Sequence, residues 1–328
     1  MSTPPGIPSA IRIRAVSKLF DDVIALDDVD LDVPAGQVHG LVGPNGAGKT
    51  TLLGLLLGLT APTSGEGQVL DHQLGRTHAV PAGVAGFLDG PGLYPTLTAR
   101  ANLTSSLTLS GAANNDDRVD EILDAVGLSE VAHERVRGFS LGMRQRLGLA
   151  AAALAQPRLV VLDEPANGLD PAGKRRVHDL LNGLAEEGTT VILSSHRMDD
   201  VEALCSEVTI LTAGRVGFTG PLAKLAAEND SLDYRLVTPD PMGARRIASA
   251  MHGIHLRDVD RTPGDDPAGD DAPGAAESLL LGATTTAALD ELVARLVRDG
   301  IAVRELTPVM SPLEAAFLKL TDDQEHSQ

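Results

Sequence analysis

Between residues 11 and 38, apolar and polar side chains alternate in short runs, Ile11-Arg-Ile-Arg-Ala-Val and then Asp30-Leu-Asp-Val. A period of two predicts antiparallel strands with one face in water. Val38-His-Gly-Leu-Val42 is a short apolar strand that runs into glycine. Helical spacing then covers Thr50–Leu59. Two more apolar runs, Leu159–Leu162 and Thr190–Ser194, read as buried strands, and helices are expected at Asp116–Val126, Met143–Ala155, Pro171–Glu186 and Met198–Leu204. Strands alternating with helices predict an α/β domain around a largely parallel sheet.

The texture changes near residue 220, which divides the chain into expected domains 1–220 and 221–328. The second reads as strand Leu232–Val237, helix Pro241–Met251, strand Ile254–Val259, strand Ser278–Leu281, helix Thr285–Arg298 and strand Ala302–Leu306, closed by helix Pro312–Leu320. Two βαβ halves in that order predict a small ferredoxin-like α+β domain. Residues 258–277 interrupt it with seven acidic residues, three Pro and three Gly. That composition predicts a solvated, disordered insertion.

Composition narrows the function classes. The 328 residues suggest about two domains. Trp is absent and Phe plus Tyr total seven, so Ala, Leu and Val must fill the core. A formal net charge of −18 opposes general binding to nucleic acid, whose phosphates need a basic surface. The single cysteine, Cys205, excludes an intrachain disulfide. The N-terminus lacks a basic segment followed by an apolar run, so no secretory signal is expected. A spanning helix needs ~18 or more consecutive apolar residues, and Leu52–Ala61 and Leu147–Ala155 are too short. Any membrane role must then come through a partner.

The strongest chemical signal is Gly43, Pro44, Asn45, Gly46, Ala47, Gly48, Lys49 and Thr50, followed by Thr51. It fits the phosphate-binding loop G-x-x-x-x-G-K-[ST] in full, with an apolar strand before it and a helix after it. Glycines let backbone N–H groups turn inward around phosphate oxygens, and the helix N-terminus adds partial positive charge. Lys49 is expected on the β- and γ-phosphates of a nucleotide and Thr50 on Mg²⁺. Further on, Leu159-Val-Val-Leu-Asp163-Glu164-Pro165 delivers two carboxylates to the end of a buried strand. Open α/β sheets bind ligands at such ends. Asp163 fits a Mg²⁺ ligand and Glu164 a base that polarises the attacking water. No histidine has zinc spacing.

Between these lies Phe139-Ser140-Leu-Gly142-Met-Arg-Gln145-Arg146. The order of phosphate loop, Ser-x-Gly-x-x-Gln and Leu-Asp-Glu-Pro resembles the ATPase subunits of ABC transporters, over residues 11–220. The resemblance implies a P-loop NTPase: a RecA-like core with an antiparallel β-subdomain and an α-helical signature subdomain. It implies ATP and Mg²⁺ as cofactors. Phe20 stands where the family stacks an aromatic on adenine, and Asp89 where it has the Gln-loop residue that touches Mg²⁺ and water. Ala166-Asn-Gly-Leu-Asp170 resembles the D-loop. His196, after Val191-Ile-Leu-Ser-Ser, resembles the switch histidine, which can contact the γ-phosphate and hold water or Glu164. Tyr94-Pro-Thr-Leu-Thr-Ala-Arg-Ala-Asn-Leu resembles the segment that meets the membrane subunit.

Two departures matter. Asp89 replaces the usual Gln, shorter by one methylene and charged, and the signature reads Ser-Leu-Gly-Met-Arg-Gln. Ser140 and Gly142, the pair that faces phosphate in the family, remain. Both variants, and the tail Ser311-Pro-Leu-Glu-Ala-Ala-Phe-Leu-Lys-Leu-Thr, resemble exporter ATPases of bacitracin and lantibiotic self-protection and antibiotic resistance. By that resemblance the chain energises a separate transmembrane permease from the cytoplasmic face of the membrane, as a homodimer closing on two ATP molecules. A soluble ABC-type ATPase acting on ribosomes or DNA is disfavoured by the acidic charge. An importer ATPase is disfavoured by the two variants, and a non-hydrolytic sensor by intact Asp163, Glu164 and His196.

Overall fold

The computed structural model describes residues 8–75, 80–111, 115–227, 232–257 and 278–325. The acidic stretch 258–277 lies outside them. The chain divides into two compact units, Met1–Leu222 and Ala223–Gln328.

The first unit opens with β1 (Ser9–Phe20) and β2 (Val23–Pro34), the antiparallel pair that the alternation predicts. Then come β3 (Val38–Val42), α1 (Lys49–Leu56), β4 (Ser64–Val69), β5 (His72–Gln73) and β6 (Val84–Phe87). Three helices follow, α2 (Ala99–Leu109), α3 (Asp116–Ala125) and α4 (Leu141–Leu154). The unit ends with β7 (Leu159–Asp163), α5 (Pro171–Glu186), β8 (Thr190–Ser195), α6 (Met198–Leu204), β9 (Glu207–Thr212) and β10 (Arg215–Pro221). The central sheet has the order β10-β9-β3-β8-β7-β6. It is parallel from β9 to β6, and β10 closes it as an antiparallel hairpin with β9. Its carboxyl ends therefore present the loops after β3, β6, β7 and β8 side by side.

The second sheet, β2-β1-β4-β5, is antiparallel. It and the central sheet share a core with α1 that is almost wholly aliphatic: Ile11, Ile13, Leu26, Leu41, Leu52 and Leu53 are all fully buried. Each such side chain stabilises the fold by ~1.5–3 kcal/mol on leaving water, which compensates for the missing aromatics. Helices α2, α3 and α4 form a separate cluster around Leu103, Leu123, Leu147 and Leu154.

In the second unit, α7 (Leu222–Ala227) leads into β11 (Leu232–Val237), α8 (Pro241–Ser249), β12 (Ile254–Arg257), β13 (Ser278–Ala283), α9 (Thr286–Arg298), β14 (Glu305–Pro308) and α10 (Pro312–Glu325). Its sheet is antiparallel throughout, in the order β12-β13-β11-β14. Leu236, Ile254, Leu279 and Leu281 meet Ala244 and Ile247 of α8 and Leu292 and Leu296 of α9. The two βαβ halves are thus interleaved in one sheet.

Several boundaries differ from the sequence reading, and three of them have a clear local reason. Helix α1 stops at Leu56 rather than Leu59, because Gly58 turns left-handed at φ 68° and the Leu59 N–H returns to the Gly54 carbonyl. Helix α4 starts at Leu141 rather than Met143, because the Ser140 hydroxyl caps it. The last strand begins at Glu305 rather than Ala302. Ile301 is tied to the Leu296 carbonyl at the end of α9, and the ladder to β11 starts only with Arg304 N–H on Val237.

Candidate active site

Strand β3 is buried along its whole length and aims the chain at Gly43. Pro44, Asn45 and Gly46 are exposed at the loop tip, while Ala47 is buried. The Ala47 carbonyl accepts from Gly214 N–H at 3.0 Å, and the Gly214 carbonyl accepts from Asp27 N–H at 2.9 Å. The β9–β10 hairpin and β2 therefore latch the loop. Gly48 is the N-cap of α1, at φ 101°, and a Cβ there would stand 2.4 Å from the Ala25 carbonyl oxygen. Only glycine fits that turn. No side chain caps α1, so its first N–H groups face the loop uncapped. Lys49 is 8 % exposed and its Nζ donates to the Gly43 carbonyl at 2.7 Å and the Pro44 carbonyl at 3.0 Å. Burial lowers its pKa, and the negative charges of Glu164 and Asp163 oppose that shift. Thr51 lies one residue further into α1, half-buried.

The carboxylates come from β7 and its C-terminal end. Asp163 Oδ2 accepts from Thr50 Oγ1 at 2.9 Å, joining the phosphate loop's helix to the strand. Its Oδ1 accepts from the Ser194 hydroxyl. Ser194 also accepts the Glu164 N–H at 3.0 Å. Glu164 Oε2 lies 2.9 Å from His196 Nδ1. One continuous chain of contacts thus runs Thr50, Asp163, Ser194, Glu164, His196. Glu164 holds a left-handed backbone, φ 49°. Such a conformation costs a non-glycine residue ~1–2 kcal/mol and persists where neighbours over-determine it. Here its N–H is fixed by Ser194 and its carbonyl by Asn167 N–H at 3.1 Å and Gln145 Nε2 at 3.3 Å.

Ser194 was not singled out by the sequence. Its signal is a polar residue ending a fully buried strand, and its role follows from register, since it pairs with Asp163 across β7 and β8. Gln145 belonged to the signature segment without a role of its own. It is 6 % exposed and ties α4 to the carboxylate loop.

The remaining candidates stand apart from that chain. Phe20 is 46 % exposed near the tip of the β1–β2 hairpin, its ring 4.7 Å from Lys18 Nζ. Asp89 is exposed, two residues beyond β6 and also left-handed at φ 52°. Since Phe87 pairs with Leu162, Asp89 emerges at the same sheet edge as Asp163. Ser140 is exposed and its hydroxyl accepts from Met143 N–H at 3.2 Å. A Cβ on Gly142 would lie 3.0 Å from Leu169, so the signature turn rests on the loop after Glu164. Among the described residues, no hydrogen bond or ion pair joins Ser140, Gly142, Asp89 or Phe20 to the phosphate loop.

Thr50 and Asp163 converge as hard oxygen donors, which suits Mg²⁺. Among the described residues no group of three or more His, Cys, Asp or Glu could hold a metal by itself.

The ABC transporter family profile matches residues 26–167. The daunorubicin resistance ATP-binding protein DrrA3 of Streptomyces coeruleorubidus is 34% identical over 323 residues, 96% of each chain. The bacitracin transport ATP-binding protein BcrA of Bacillus licheniformis is 36% identical over 229 residues, 69% of this chain and 74% of that one. Among solved structures, an ATP-binding subunit of an ABC transporter superposes with a TM-score of 0.62 at 27% identity, covering 67% of this chain and 92% of that one. The fold is also that of an ATP-binding cassette in a dimeric post-hydrolysis state bound to ADP and Pi, with TM-score 0.58 at 24% identity over 65% of this chain and 98% of that one. With a relative matched over 96% of each chain, the protein belongs to the ATP-binding, ATP-hydrolysing subunits of ABC transporters, in the subgroup of the bacitracin transport and daunorubicin resistance ATP-binding proteins.

Proposed function

We propose that the chain is the ATPase motor of an exporter that moves an antibiotic, peptide or other small molecule through a separate permease. Residues 1–220 bind and hydrolyse ATP, and residues 221–328 form an accessory domain. The observation that carries this reading is the contact chain from Thr50 through Asp163, Ser194 and Glu164 to His196. It lines up a phosphate-loop hydroxyl, a metal-type carboxylate, a base and a histidine along one sheet edge.

In this reading the N–H groups of Gly43–Thr51 and the Lys49 ammonium hold the β- and γ-phosphates. Thr50 and Asp163 would hold Mg²⁺, with Asp89, two residues beyond β6, as the further candidate ligand. The ion, when bound, neutralises charge developing on the phosphates. Glu164 takes a proton from the attacking water. His196 keeps Glu164 and the γ-phosphate in register, and Phe20 stacks on adenine. Ser140 and Gly142 come from a second copy of the chain, so each ATP bridges two subunits. Binding closes the homodimer and hydrolysis opens it.

Among the described residues no helix is long and apolar enough to cross a membrane. In this reading the chain works at the cytoplasmic face as a peripheral subunit, and the permease supplies the membrane-spanning helices. A cleft of about 400 Å³, lined by Leu57, Phe87, Pro91, Leu93, Ser106 and Ala152, opens beside the Asp89 loop and suits an apolar segment of the permease.

Glu164→Gln tests the reading. It keeps shape and hydrogen bonding but loses the base, so phosphate release should fall by ~10²-fold or more while ATP binding and an ATP-dependent dimer persist. Turnover at the wild-type rate would remove Glu164 from the mechanism.

A further inference from the structure

Asp200 is a carboxylate buried to 4 % exposure that the proposed mechanism does not use. It sits in the first turn of α6, four residues past His196. Lys174, in the second turn of α5, gives it two hydrogen bonds from Nζ, 3.0 Å to Oδ1 and 3.2 Å to Oδ2. Two more groups face it: Arg197 Nε at 3.5 Å from Oδ2 and His178 Nε2 at 3.4 Å from Oδ1. Arg197 is already paired with Asp199 at 2.7 Å, and the buried His178 Nε2 makes no hydrogen bond. Lys174 is thus the principal partner.

The placement of this pair gives it leverage. The loop that begins at Glu164 runs through Asn167 to Asp170, which caps α5 by accepting Gly173 N–H at 2.8 Å. Lys174 follows directly, its N–H on the Asp170 carbonyl at 2.9 Å. The loop that carries His196 runs directly into α6, held by Ser195 Oγ on Arg197 N–H at 3.0 Å. Glu164 and His196 therefore ride on two short segments, and each segment ends in a helical turn that holds one member of the pair. The Glu164–His196 contact itself has a half-exposed partner, with the imidazole 51% accessible. Exposed ion pairs hold geometry weakly, whereas a buried carboxylate held by two hydrogen bonds from a largely covered ammonium is costly to displace.

We infer that Lys174 and Asp200 are positioning residues for the hydrolytic step, a clamp built on a buried carboxylate that sets His196 against Glu164 by tying α5 to α6. The inference rests on the roles proposed for Glu164 and His196. Neither Lys174 nor Asp200 touches ATP; the clamp acts on turnover rather than binding.

The test is steady-state ATPase kinetics of four variants of the full chain, with thermal midpoints and ATP affinity measured in parallel. Asp200→Asn should lower kcat about tenfold and leave KM within about twofold, because misplacing a catalytic group by a fraction of an ångström affects the transition state and not ground-state binding. Lys174→Met strands a buried carboxylate and should lower both kcat and the midpoint. The double variant Lys174→Met, Asp200→Leu removes the stranded charge and should recover the midpoint while kcat stays low. If the double variant regains wild-type kcat together with its midpoint, the pair is structural only and the inference is overturned. A wild-type kcat in Asp200→Asn overturns it equally. Glu164→Gln, the fourth variant, separates the two levels. If it is inactive while Asp200→Asn is fully active, the clamp alone fails; if it turns over normally, the reading beneath it fails as well.

Discussion

Lys49 meets the solvent with only a sliver of its side chain and spends its ammonium on two carbonyls of its own loop. Those bonds hold the ammonium at the centre of the loop before any phosphate arrives, and the charges of Glu164 and Asp163 oppose the lowering of its pKa by burial. Replacing it by alanine removes a charge-assisted contact to phosphate of ~1.5–3 kcal/mol. Lys49→Ala should therefore weaken ATP binding ~10–100-fold by calorimetry, and wild-type affinity would contradict the assignment. A second residue, His39, makes a pH prediction. It is fully buried on β3, with Nε2 2.8 Å from Thr209 Oγ1, and burial lowers its pKa from 6.5 to about 4. The folded state stays neutral where the unfolded chain takes up a proton. Stability present above pH 6.5 is therefore lost as pH falls towards 4 and the loss levels off below that. The loss amounts to about 3 kcal/mol. His39→Leu should flatten that limb in urea titrations at pH 7, 5.5 and 4. An unchanged slope would mean that His39 does not titrate as its burial requires.

At the scale of elements, α4 shows how helix packing sets the sheet-edge loop. A Cβ on Gly148 would lie 2.1 Å from Cβ and 2.6 Å from Cγ of Pro91, atoms of a ring that cannot rotate away. Helix propensity alone favours alanine over glycine by about 1 kcal/mol. The clash costs about 1–3 kcal/mol and wins. Gly148→Ala should thus destabilise the chain in urea titrations; stabilisation would mean that the loop after β6 yields freely. The same scale shows what the sequence could carry. The strand, phosphate loop and helix of residues 38–56 were legible because each residue type there has a local reason. Asp163 and Glu164 were legible as the polar end of an apolar run. Ser194 was not, because its role depends on lying opposite Asp163 in a neighbouring strand 31 residues away. Helix α2 and strands β4, β5, β6, β9 and β10 were also missed; β4 is glycine-rich with half its residues exposed, and β6 is four residues long and only partly buried. The clamp between Lys174 and Asp200 is likewise a product of α5 and α6 meeting, which no local pattern announces.

For the whole molecule, the site as built in one chain is incomplete by the proposed mechanism. Thr50, Asp163, Ser194, Glu164 and His196 form one network, while Ser140 and Gly142 stand at the start of α4 with no hydrogen bond or ion pair to it among the described residues. The account therefore assigns the signature turn to a second copy and the mechanical output to a membrane partner. The alternation at the N-terminal end and the shift in texture near residue 220 were enough to anticipate the two kinds of sheet. The late start of β14 was not, because it follows from the bond that ties Ile301 to the end of α9 and from the register with β11. The most direct test is to isolate tagged Glu164→Gln from gently solubilised native membranes with Mg²⁺ and ATP present and to identify what accompanies it by mass spectrometry. The account predicts a stoichiometric multi-spanning membrane protein bound to a dimer of this chain. Recovery as a free dimer without a membrane protein, or with ribosomes, would contradict it.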